Sequence, residues 1–296
     1  MKRYFFITMF ARTFRPTYQG PVKACILDWS GTVLDRYVIA PAVVFVDVFK
    51  SQGVDITMTE ARGPMGLRKD LHIKALTEVP AIRERWTQIH QHEPTDEDVA
   101  RMFEDFVPKQ LACLSNYTEM IPGAVETVNT IQKSGIKIGM TTGFTRSMVD
   151  VLLKESQEHG YFPEVTVAGD EVEHGARPGP FMVYRNLDLL GIYPIESVVK
   201  VDDTVGGVGE GLNAGCWSVG VSRYSNYMDI NSYQEEDSLT ETQLEERNLV
   251  SRQKLLDAGA HFVIDSIIQL PRVIEHINGL LKAKITPLTE VTHSSQ

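Results

Sequence analysis

Carboxylates follow two separate apolar runs of this sequence. In ACILDWSGTVLD (24–35) Asp28 comes directly after four apolar residues, and in SVVKVDDT (197–204) Asp202 and Asp203 end a similar run. Two carboxylates from different strands can hold Mg²⁺, a hard cation that prefers oxygen ligands. The sequence therefore predicts a metal site, provided that both runs are strands that end at the same edge of one sheet.

Groups suited to a phosphoryl ligand follow other runs. Thr141 and Thr142 precede Gly143 at the end of IKIGMTT, and a predicted helix begins after Arg177. A hydroxyl, backbone amides and a guanidinium can together bind a phosphoryl group whose charge a metal partly neutralises. These residue types point to phosphoryl-transfer chemistry.

A parallel sheet would position these groups. Six short apolar runs alternate with helical patterns, at 22–27, 136–142, 164–169, 197–203, 216–221 and 261–265. Such alternation is typical of a parallel sheet covered by helices, so we predict an α/β fold with a Rossmann-like core. Ligands of such sheets bind beyond the carboxyl ends of the strands, where the candidate residues would meet. Thr145 is the predicted N-cap of the helix that follows the second run.

The long gap after the first run has a different pattern. Between about residue 36 and residue 116 no buried strand is predicted, but helical stretches occur at 40–53, 68–78, 81–92 and 95–114. We interpret them as an all-helical insert with Pro41 and Pro122 near its borders. The predicted division is an N-terminal extension (1–19), an α/β core (20–36 and 117–284), a helical cap (37–116) and a loose tail (285–296). The charged segment 235–248 is predicted to be a solvated loop or an exposed helix.

Composition excludes several classes of protein. With a net charge of -10 over 296 residues, the chain lacks the basic surface that binds nucleic acid. Cys25, Cys113 and Cys216 are too scattered for a disulfide framework or a zinc site, which favours a reducing compartment. No apolar run approaches the roughly 18 residues of a membrane span. A cytoplasmic location is therefore expected. The first 20 residues hold four basic side chains and no acid, which is compatible with a mitochondrial presequence, the alternative, or with a frayed extension.

Four short motifs carry a family resemblance. DWSGTVLD, TTG, ARPGP and VDDT, in this order, resemble the motifs of the haloacid dehalogenase superfamily, whose first aspartate attacks phosphorus and forms an aspartyl-phosphate. The stretch EARGPMGLRKDLHIKALTEVP (60–80) is similar to the cap of the phosphonoacetaldehyde hydrolases, the phosphonatase branch. The similarity extends from about residue 22 to residue 282. It implies a Rossmann-like core with an inserted helical cap and a homodimer formed through the cap.

The resemblance also implies roles for the reacting groups. Asp28 would be the nucleophile, Lys69 would form a Schiff base with the substrate aldehyde, and His72 would assist proton transfers. Asp28, the backbone carbonyl of Ser30 and Asp203 would hold Mg²⁺. Taken alone, Lys69 would be a solvated helix lysine in most proteins, and His72 could equally pack or cap a helix.

Further residues are expected to bind the substrate. Thr142, Gly143 and Arg177 would hold the phosphoryl group. Met65 and Trp29 are candidates for the apolar wall of the cavity, although either could simply belong to the core.

Ser30 selects among the possible reactions. Phosphatases of the superfamily place a second aspartate two residues after the nucleophile, where it protonates the leaving alcohol. Ser30 stands there instead, and the pKa of a serine hydroxyl is too high for that task. Cleavage of a carbon–phosphorus bond needs an electron sink, which a lysine imine supplies. The family resemblance, with which this chemistry agrees, implies hydrolysis of phosphonoacetaldehyde to acetaldehyde and phosphate. The alternatives are a phosphatase, another phosphonate hydrolase of the superfamily and a non-catalytic homologue.

Three differences from the family pattern involve four positions. Ser30 replaces a usual alanine, and Phe144 replaces a frequent tyrosine. In the fourth motif, Asp202 stands at the usual glycine and Gly207 at the usual acid. Loss of that acid would lower metal affinity or activity about 10- to 100-fold. Either the carboxylate of Asp202 takes over the role of the missing acid at the metal site, or its side chain points away from that site.

Overall fold

One parallel sheet forms the centre of the molecule, for which the computed structural model describes residues 17–175 and 177–289. Its strands are β1 (Ala24–Leu27), β2 (Lys137–Thr142), β3 (Val165–Ala168), β4 (Val198–Asp202), β5 (Trp217–Val221) and β6 (Phe262–Ile264). The strand order is β3-β2-β1-β4-β5-β6, and every pair is parallel. This confirms the Rossmann-like prediction. Because the order reverses at β1, a crevice opens at the carboxyl ends of β1, β2 and β4.

Five α-helices follow β1 within residues 37–116 of the chain. They are α1 (Ile39–Ser51), α2 (Met58–Arg62), α3 (Lys69–Glu78), α4 (Pro80–His90) and α5 (Asp96–Leu114). Four of them were predicted, and α2 was not. Phe45 of α1 and Phe106 of α5 pack with ring centroids 4.6 Å apart, which joins the helices into one body. All five fall within the predicted cap limits, 37–116, which we retain as the proposed domain boundaries.

Seven more α-helices of the described chain lie outside the cap, and most of them contact strands of the sheet. They are α6 (Ala124–Lys133), α7 (Arg146–Glu158), α8 (Phe181–Leu190), α9 (Val205–Ala214), α10 (Tyr233–Ser238), α11 (Glu241–Asp257) and α12 (Leu270–Lys282). Thr145 precedes α7 at the predicted N-cap position. The segment 235–248 forms α10 and the start of α11, largely exposed, in agreement with the exposed-helix alternative.

The central strands are buried over their whole length, as expected for a parallel sheet with helices on both faces. Every residue of β1 and β4 is buried, so these strands read as continuous apolar runs rather than as an alternation. One exception is Lys200, a fully buried lysine in the middle of β4. Its partners belong to the site described below.

The structure bears on some of the predictions about the chain as a whole. The three cysteines are free thiols. Among the described residues, no helix combines the length and the apolar character needed to cross a membrane. Residues 1–16 of the predicted extension and residues 290–296 of the predicted tail lie outside the described part of the chain. The targeting and tail predictions therefore stay predictions.

Candidate active site

The carboxyl ends of β1 and β4 bring three aspartates together. The pairing of Leu27 with Val201 aligns the two strand ends, and the Asp28 N–H donates to the Val201 carbonyl at 2.9 Å. Asp28, Asp202 and Asp203 each offer a carboxylate oxygen, and these oxygens lie within 4.8 Å of one another. All three side chains are buried. The register of the sheet thus builds the predicted pair, Asp28 and Asp203, and adds Asp202.

Two cations face these carboxylates. The Arg177 guanidinium lies 2.7 Å from Asp28 and 3.3 Å from Asp202, and its Nε donates to Glu210 of α9 at 3.0 Å. Lys200 Nζ lies 2.6 Å from Asp202 and 3.5 Å from Glu210. We call this group the charge cluster; its members are Asp28, Asp202, Asp203, Glu210, Arg177 and Lys200. Its four carboxylates exceed its two cations by two negative charges.

The excess charge affects the individual pKa values. Burial raises the pKa of Asp28 to about 6, and the charge of Asp202 adds to this shift. Burial and the same neighbour raise the pKa of Asp203 well above its usual 3.8. For Asp202, burial is outweighed by Arg177 and Lys200, which lower its pKa. Asp202 is therefore the aspartate that stays ionised, whereas ionisation of Asp28 and Asp203 is disfavoured.

The donor set fits a divalent cation. Asp203 Oδ2 accepts a hydrogen bond from the Asn226 N–H at 2.8 Å, whereas its Oδ1 is buried without a hydrogen-bond partner in the described structure. An unpaired buried carboxylate oxygen is costly. A cation such as Mg²⁺ would pair with that oxygen and balance the two excess charges.

Eight of the predicted site residues line one cavity between core and cap. They are Asp28, Ser30, Met65, Lys69, Thr142, Gly143, Arg177 and Asp203. The core wall of the cavity comprises Asp28, Ser30, Thr142, Gly143, Phe144, Arg177, Asp203 and Thr204. The cap wall comprises Val38, Pro41, Met65, Gly66 and Lys69. The free volume between the walls is about 20 Å³.

Lys69 is the first residue of α3, and its side chain points into this cavity. It is only 5% exposed, and Nζ lies 4.6 Å from the centre of the Phe144 ring. Burial lowers its pKa from 10.5 to about 8; the charge of Arg177 acts in the same direction and that of Asp28 opposes it. The positive end of the α3 dipole also disfavours the ammonium form. An appreciable fraction of this amine is therefore unprotonated near neutral pH.

Two neighbours of Lys69 in sequence have other partners. Arg68 donates two hydrogen bonds to Asp70, each 2.7 Å long, so the cation that lowers the Lys69 pKa is Arg177 and not Arg68. His72 is a predicted site residue that is not on the cavity wall. Its ring stacks on Phe45 at 3.7 Å, and its Nε2 lies 2.8 Å from the Ala61 carbonyl.

These contacts define the state of His72. Burial and the charge of Lys69 lower its pKa well below 6.5, so the ring is neutral. Since Nε2 faces a carbonyl oxygen, Nε2 carries the proton. The buried Nδ1 then has no hydrogen-bond partner in the described structure. This environment agrees with the packing alternative, and the role in proton transfer stays a prediction.

The two walls meet at a glycine. A Cβ atom at Gly143 would lie 2.5 Å from the Leu67 carbonyl oxygen, closer than real contacts allow. Glycine at 143 therefore lets the cap loop before Lys69 pack against the core loop after β2. Beside it, Thr142 Oγ1 accepts a hydrogen bond from the Phe144 N–H at 3.1 Å, which orients the hydroxyl at the cavity wall.

The two apolar candidates differ in position. Met65 lines the cavity and packs on Val38 and Ala42. Trp29 lies in the core, where its ring and that of Tyr161 pack edge to face with their centroids 5.8 Å apart. For Trp29 the core alternative is thus the correct one.

Sequence reasoning missed two members of the charge cluster, Lys200 and Glu210. Both are fully buried. A signal was present, because Lys200 interrupts the apolar run VVKV and Glu210 the glycine-rich segment VGGVGEG. A charged residue in a buried element requires a partner of opposite charge, so the two could have been paired.

Comparison with known proteins agrees with this geometry. A family model described as haloacid dehalogenase-like hydrolase matches residues 22–215. The phosphonoacetaldehyde hydrolase of Syntrophobacter fumaroxidans is 41% identical over 270 residues, which cover 91% of this chain and 97% of that protein. That of Bacillus cytotoxicus is 43% identical over 256 residues, which cover 86% and 96%.

A solved structure supports the same relationship. The crystal structure of a phosphonoacetaldehyde hydrolase like protein from Oleispira antarctica superposes with a TM-score of 0.90 at 34% identity, covering 94% of this chain and 100% of that one. Similarity of this extent includes the sheet, the cap and the cavity between them. The chain therefore belongs to the phosphonoacetaldehyde hydrolase family of haloacid dehalogenase-like hydrolases.

Proposed function

We propose that this protein hydrolyses the carbon–phosphorus bond of phosphonoacetaldehyde, through a Schiff base on Lys69 and an aspartyl-phosphate on Asp28. The observation that carries the proposal is the placement of a buried amine and a buried carboxylate on opposite walls of one cavity. The names of the relatives support the choice of substrate.

The reaction divides between the two walls. The free amine of Lys69 attacks the aldehyde carbon, and loss of water gives a protonated imine. Asp28 then attacks phosphorus, and the electron pair of the carbon–phosphorus bond moves into the imine to form an enamine. Protonation of the enamine carbon and hydrolysis release acetaldehyde and regenerate the amine. A second water hydrolyses the aspartyl-phosphate to phosphate and Asp28.

Other residues of the core wall bind and orient the phosphoryl group. Arg177, Thr142 and the backbone amide of Gly143 are placed to hold its oxygens. Asp28, the Ser30 carbonyl and Asp203 would hold Mg²⁺, which when bound neutralises charge on the transferred group. Ser30 supplies no acid, and in this reaction none is needed for the departing carbon.

Borohydride trapping tests the proposal. Folded, Mg²⁺-loaded protein is incubated with phosphonoacetaldehyde and reduced, and the modified peptide is identified by mass spectrometry. The expected result is a covalent adduct on Lys69, with phosphate and acetaldehyde released together in the unreduced sample. Release of phosphate from simple esters without an adduct would instead indicate a phosphatase, and no release of either product would indicate a non-catalytic homologue.

The proposed assembly is a homodimer formed through the cap, on the basis of the family resemblance. Sedimentation equilibrium should give about twice the 33.2 kDa mass of one chain. A species of single-chain mass at all concentrations would contradict the proposed dimer and leave the proposed reaction untouched.

A further inference from the structure

We infer that Arg62, at the end of α2, is a positioning residue that anchors the cap on the core and thereby holds the Lys69 amine opposite Asp28. This role rests on the proposed function, because it concerns the amine that would form the Schiff base. No step of the proposed reaction uses Arg62, yet only 4% of its side chain is exposed. A buried arginine keeps its charge, so the groups around it must satisfy its donors.

The acceptors of Arg62 lie in the core and in the linker that joins core and cap. Its Nη2 donates to the Ile230 carbonyl at 2.5 Å, its Nη1 to the Asn226 side chain at 3.1 Å and its Nε to the Asn231 side chain at 3.1 Å. Nη1 also donates to the Tyr37 carbonyl in the linker. In the opposite direction, the Asn226 amide donates to the Arg62 carbonyl at 3.1 Å. Since residues 226–231 follow β5, these bonds join α2 directly to the core.

These acceptors are neutral, which distinguishes Arg62 from the paired cations of the charge cluster. The carboxylate of Asp229 lies 3.9 Å from Arg62 Nε, but its side chain is half exposed, and ion pairs of that kind contribute little. A guanidinium presents its donors in a fixed planar fork, which the single nitrogen of a lysine cannot reproduce. Separation of cap and core would leave the Arg62 charge without these acceptors.

The linker between β1 and the cap also depends on Arg62. Asp35, Tyr37 and Val38 have φ angles of 48°, 69° and 54°, in the left-handed region. Residues other than glycine adopt this region at a cost and stay there when the surrounding structure holds them. Because Arg62 binds the Tyr37 carbonyl, the guanidinium that docks α2 also holds the linker.

Two contacts carry the position of Arg62 to Lys69. The carbonyl of the preceding residue, Ala61, faces His72 Nε2 at 2.8 Å, and His72 lies in the first turn of α3, as Lys69 does. Along the chain, the loop that connects Arg62 to Lys69 packs on Gly143 of the core. The start of α3 is therefore held both by α2 and by the core, and this fixes the amine at the cavity wall.

Arg62→Lys tests the anchor. Lysine keeps the charge but donates from one atom only, so the cap should dock less firmly and the Lys69 amine should be displaced. Displacement of a reacting group by about 1 Å costs about 100-fold in rate, and kcat/KM for phosphonoacetaldehyde should fall by that factor. Amide hydrogen exchange, measured without substrate by mass spectrometry, should be about tenfold faster or more in residues 63–72 and 226–231, because hydrogen bonds to a charged group are lost.

The pH dependence of acetaldehyde trapping reports on the amine itself. Burial lowers the pKa of Lys69 to about 8. The titratable groups that act on it or respond to it are Asp28, Asp35, Arg177 and the neutral His72. In Arg62→Lys the amine should be less buried, so the midpoint of trapping should move upward from about 8 toward 10.5. A loss of cap stability without displacement of the amine would not move this midpoint.

Arg85→Lys is the matched control. This arginine of α4 donates to the carbonyls of Ala81 at 3.0 Å and Asp55 at 2.6 Å and to the Glu60 carboxylate, and all three partners belong to the cap. Its substitution removes a similar set of bonds away from the junction with the core. The melting temperature should fall, whereas kcat/KM should stay within about threefold of wild type because the amine is not displaced. Exchange in residues 226–231 should not change.

Two results would overturn the inference. One is wild-type exchange and kcat/KM in folded Arg62→Lys, and the other is an equal loss of kcat/KM in Arg62→Lys and Arg85→Lys. If circular dichroism shows that Arg62→Lys does not fold, Asn231→Ala removes one acceptor from the core side instead. Faster exchange in residues 63–72 of that variant supports the anchor, and wild-type exchange overturns it. A wild type that releases neither phosphate nor acetaldehyde would refute the proposed reaction, while hydrogen exchange would still decide on the anchor.

Discussion

The two walls of the cavity respond differently to the same physical effect. On the cap wall, burial lowers the pKa of Lys69 to about 8 and thereby prepares a free amine. On the core wall, burial raises the pKa of Asp28 to about 6, which disfavours the carboxylate that would attack phosphorus. The cap wall thus offers a free amine for its proposed task without a bound ion. For the core wall, we propose that a bound cation offsets the excess negative charge.

The largest effect is expected at Asp28. Asparagine has nearly the same size but cannot attack phosphorus as a carboxylate, so phosphate release should fall about 10⁵-fold or more in Asp28→Asn. The amine lies on the other wall, and borohydride trapping at Lys69 should persist. A phosphate assay and mass spectrometry of the same sample check both statements. Equal trace activity in the wild type and the variant would contradict the separate roles proposed for the two walls and favour a non-catalytic homologue.

Lys69→Arg tests the role proposed for the amine on the cap wall. Arginine keeps the positive charge but forms no imine, so phosphate release from phosphonoacetaldehyde should fall roughly 10³-fold. Calorimetric Mg²⁺ affinity, a property of the core wall, should not change. The matched control is Lys74→Arg on the same helix, where the side chain is 47% exposed and pairs with Asp96. A Lys69→Arg variant as active as this control would exclude the Schiff base.

A smaller effect is expected where the walls meet. In Gly143→Ala the new methyl group would lie 2.5 Å from the Leu67 carbonyl oxygen, so the cap loop must move. Displacement by about 1 Å typically costs about 100-fold in rate, and kcat/KM should fall by that factor. Gly279→Ala is the control, because apart from the neighbouring backbone of its own helix no atom lies within 4 Å of the added methyl group. Unchanged kcat/KM in Gly143→Ala would show that contact between the walls is not required.

The smallest effect concerns pH. Only the unprotonated amine reacts, so trapping of acetaldehyde at Lys69 should increase with pH through its pKa of about 8 and then level off. Between pH 7 and pH 8 the free amine, and hence the initial rate, should rise about fivefold. In Asp28→Asn the midpoint should move to lower pH, because Asp28 favours the ammonium form. A rate that keeps rising tenfold per pH unit above pH 9 would indicate an ordinary exposed lysine.

Local signals explain why much of the fold and site could be predicted. Each strand is an apolar run, and a parallel sheet necessarily brings Asp28 and Asp203 to one edge. The burial of Lys69 could not be predicted from the sequence, because the polar residues of LRKDLH are typical of an exposed helix. Its environment depends on the packing of the cap against Phe144. The direction of Asp202 depends likewise on the space at Gly207.

The short helix α2 shows a different kind of omission. Its five residues, Met58–Arg62, are too few to show a helical period. A local signal was nevertheless present, because Thr57 and Glu60 form a capping box at its start. His72 contacts the Ala61 carbonyl through Nε2 and stacks on the Phe45 ring. Both partners belong to other helices, so the sequence around His72 does not predict these contacts.

The small free volume between the walls has a consequence for the order of events. About 20 Å³ is room for roughly one water molecule, which is less than a two-carbon phosphonate occupies. We therefore expect the two walls to move apart when substrate binds, with Lys69 and Asp28 still facing the same cavity. Substrate entry and the spacing of the walls would then be one coupled event.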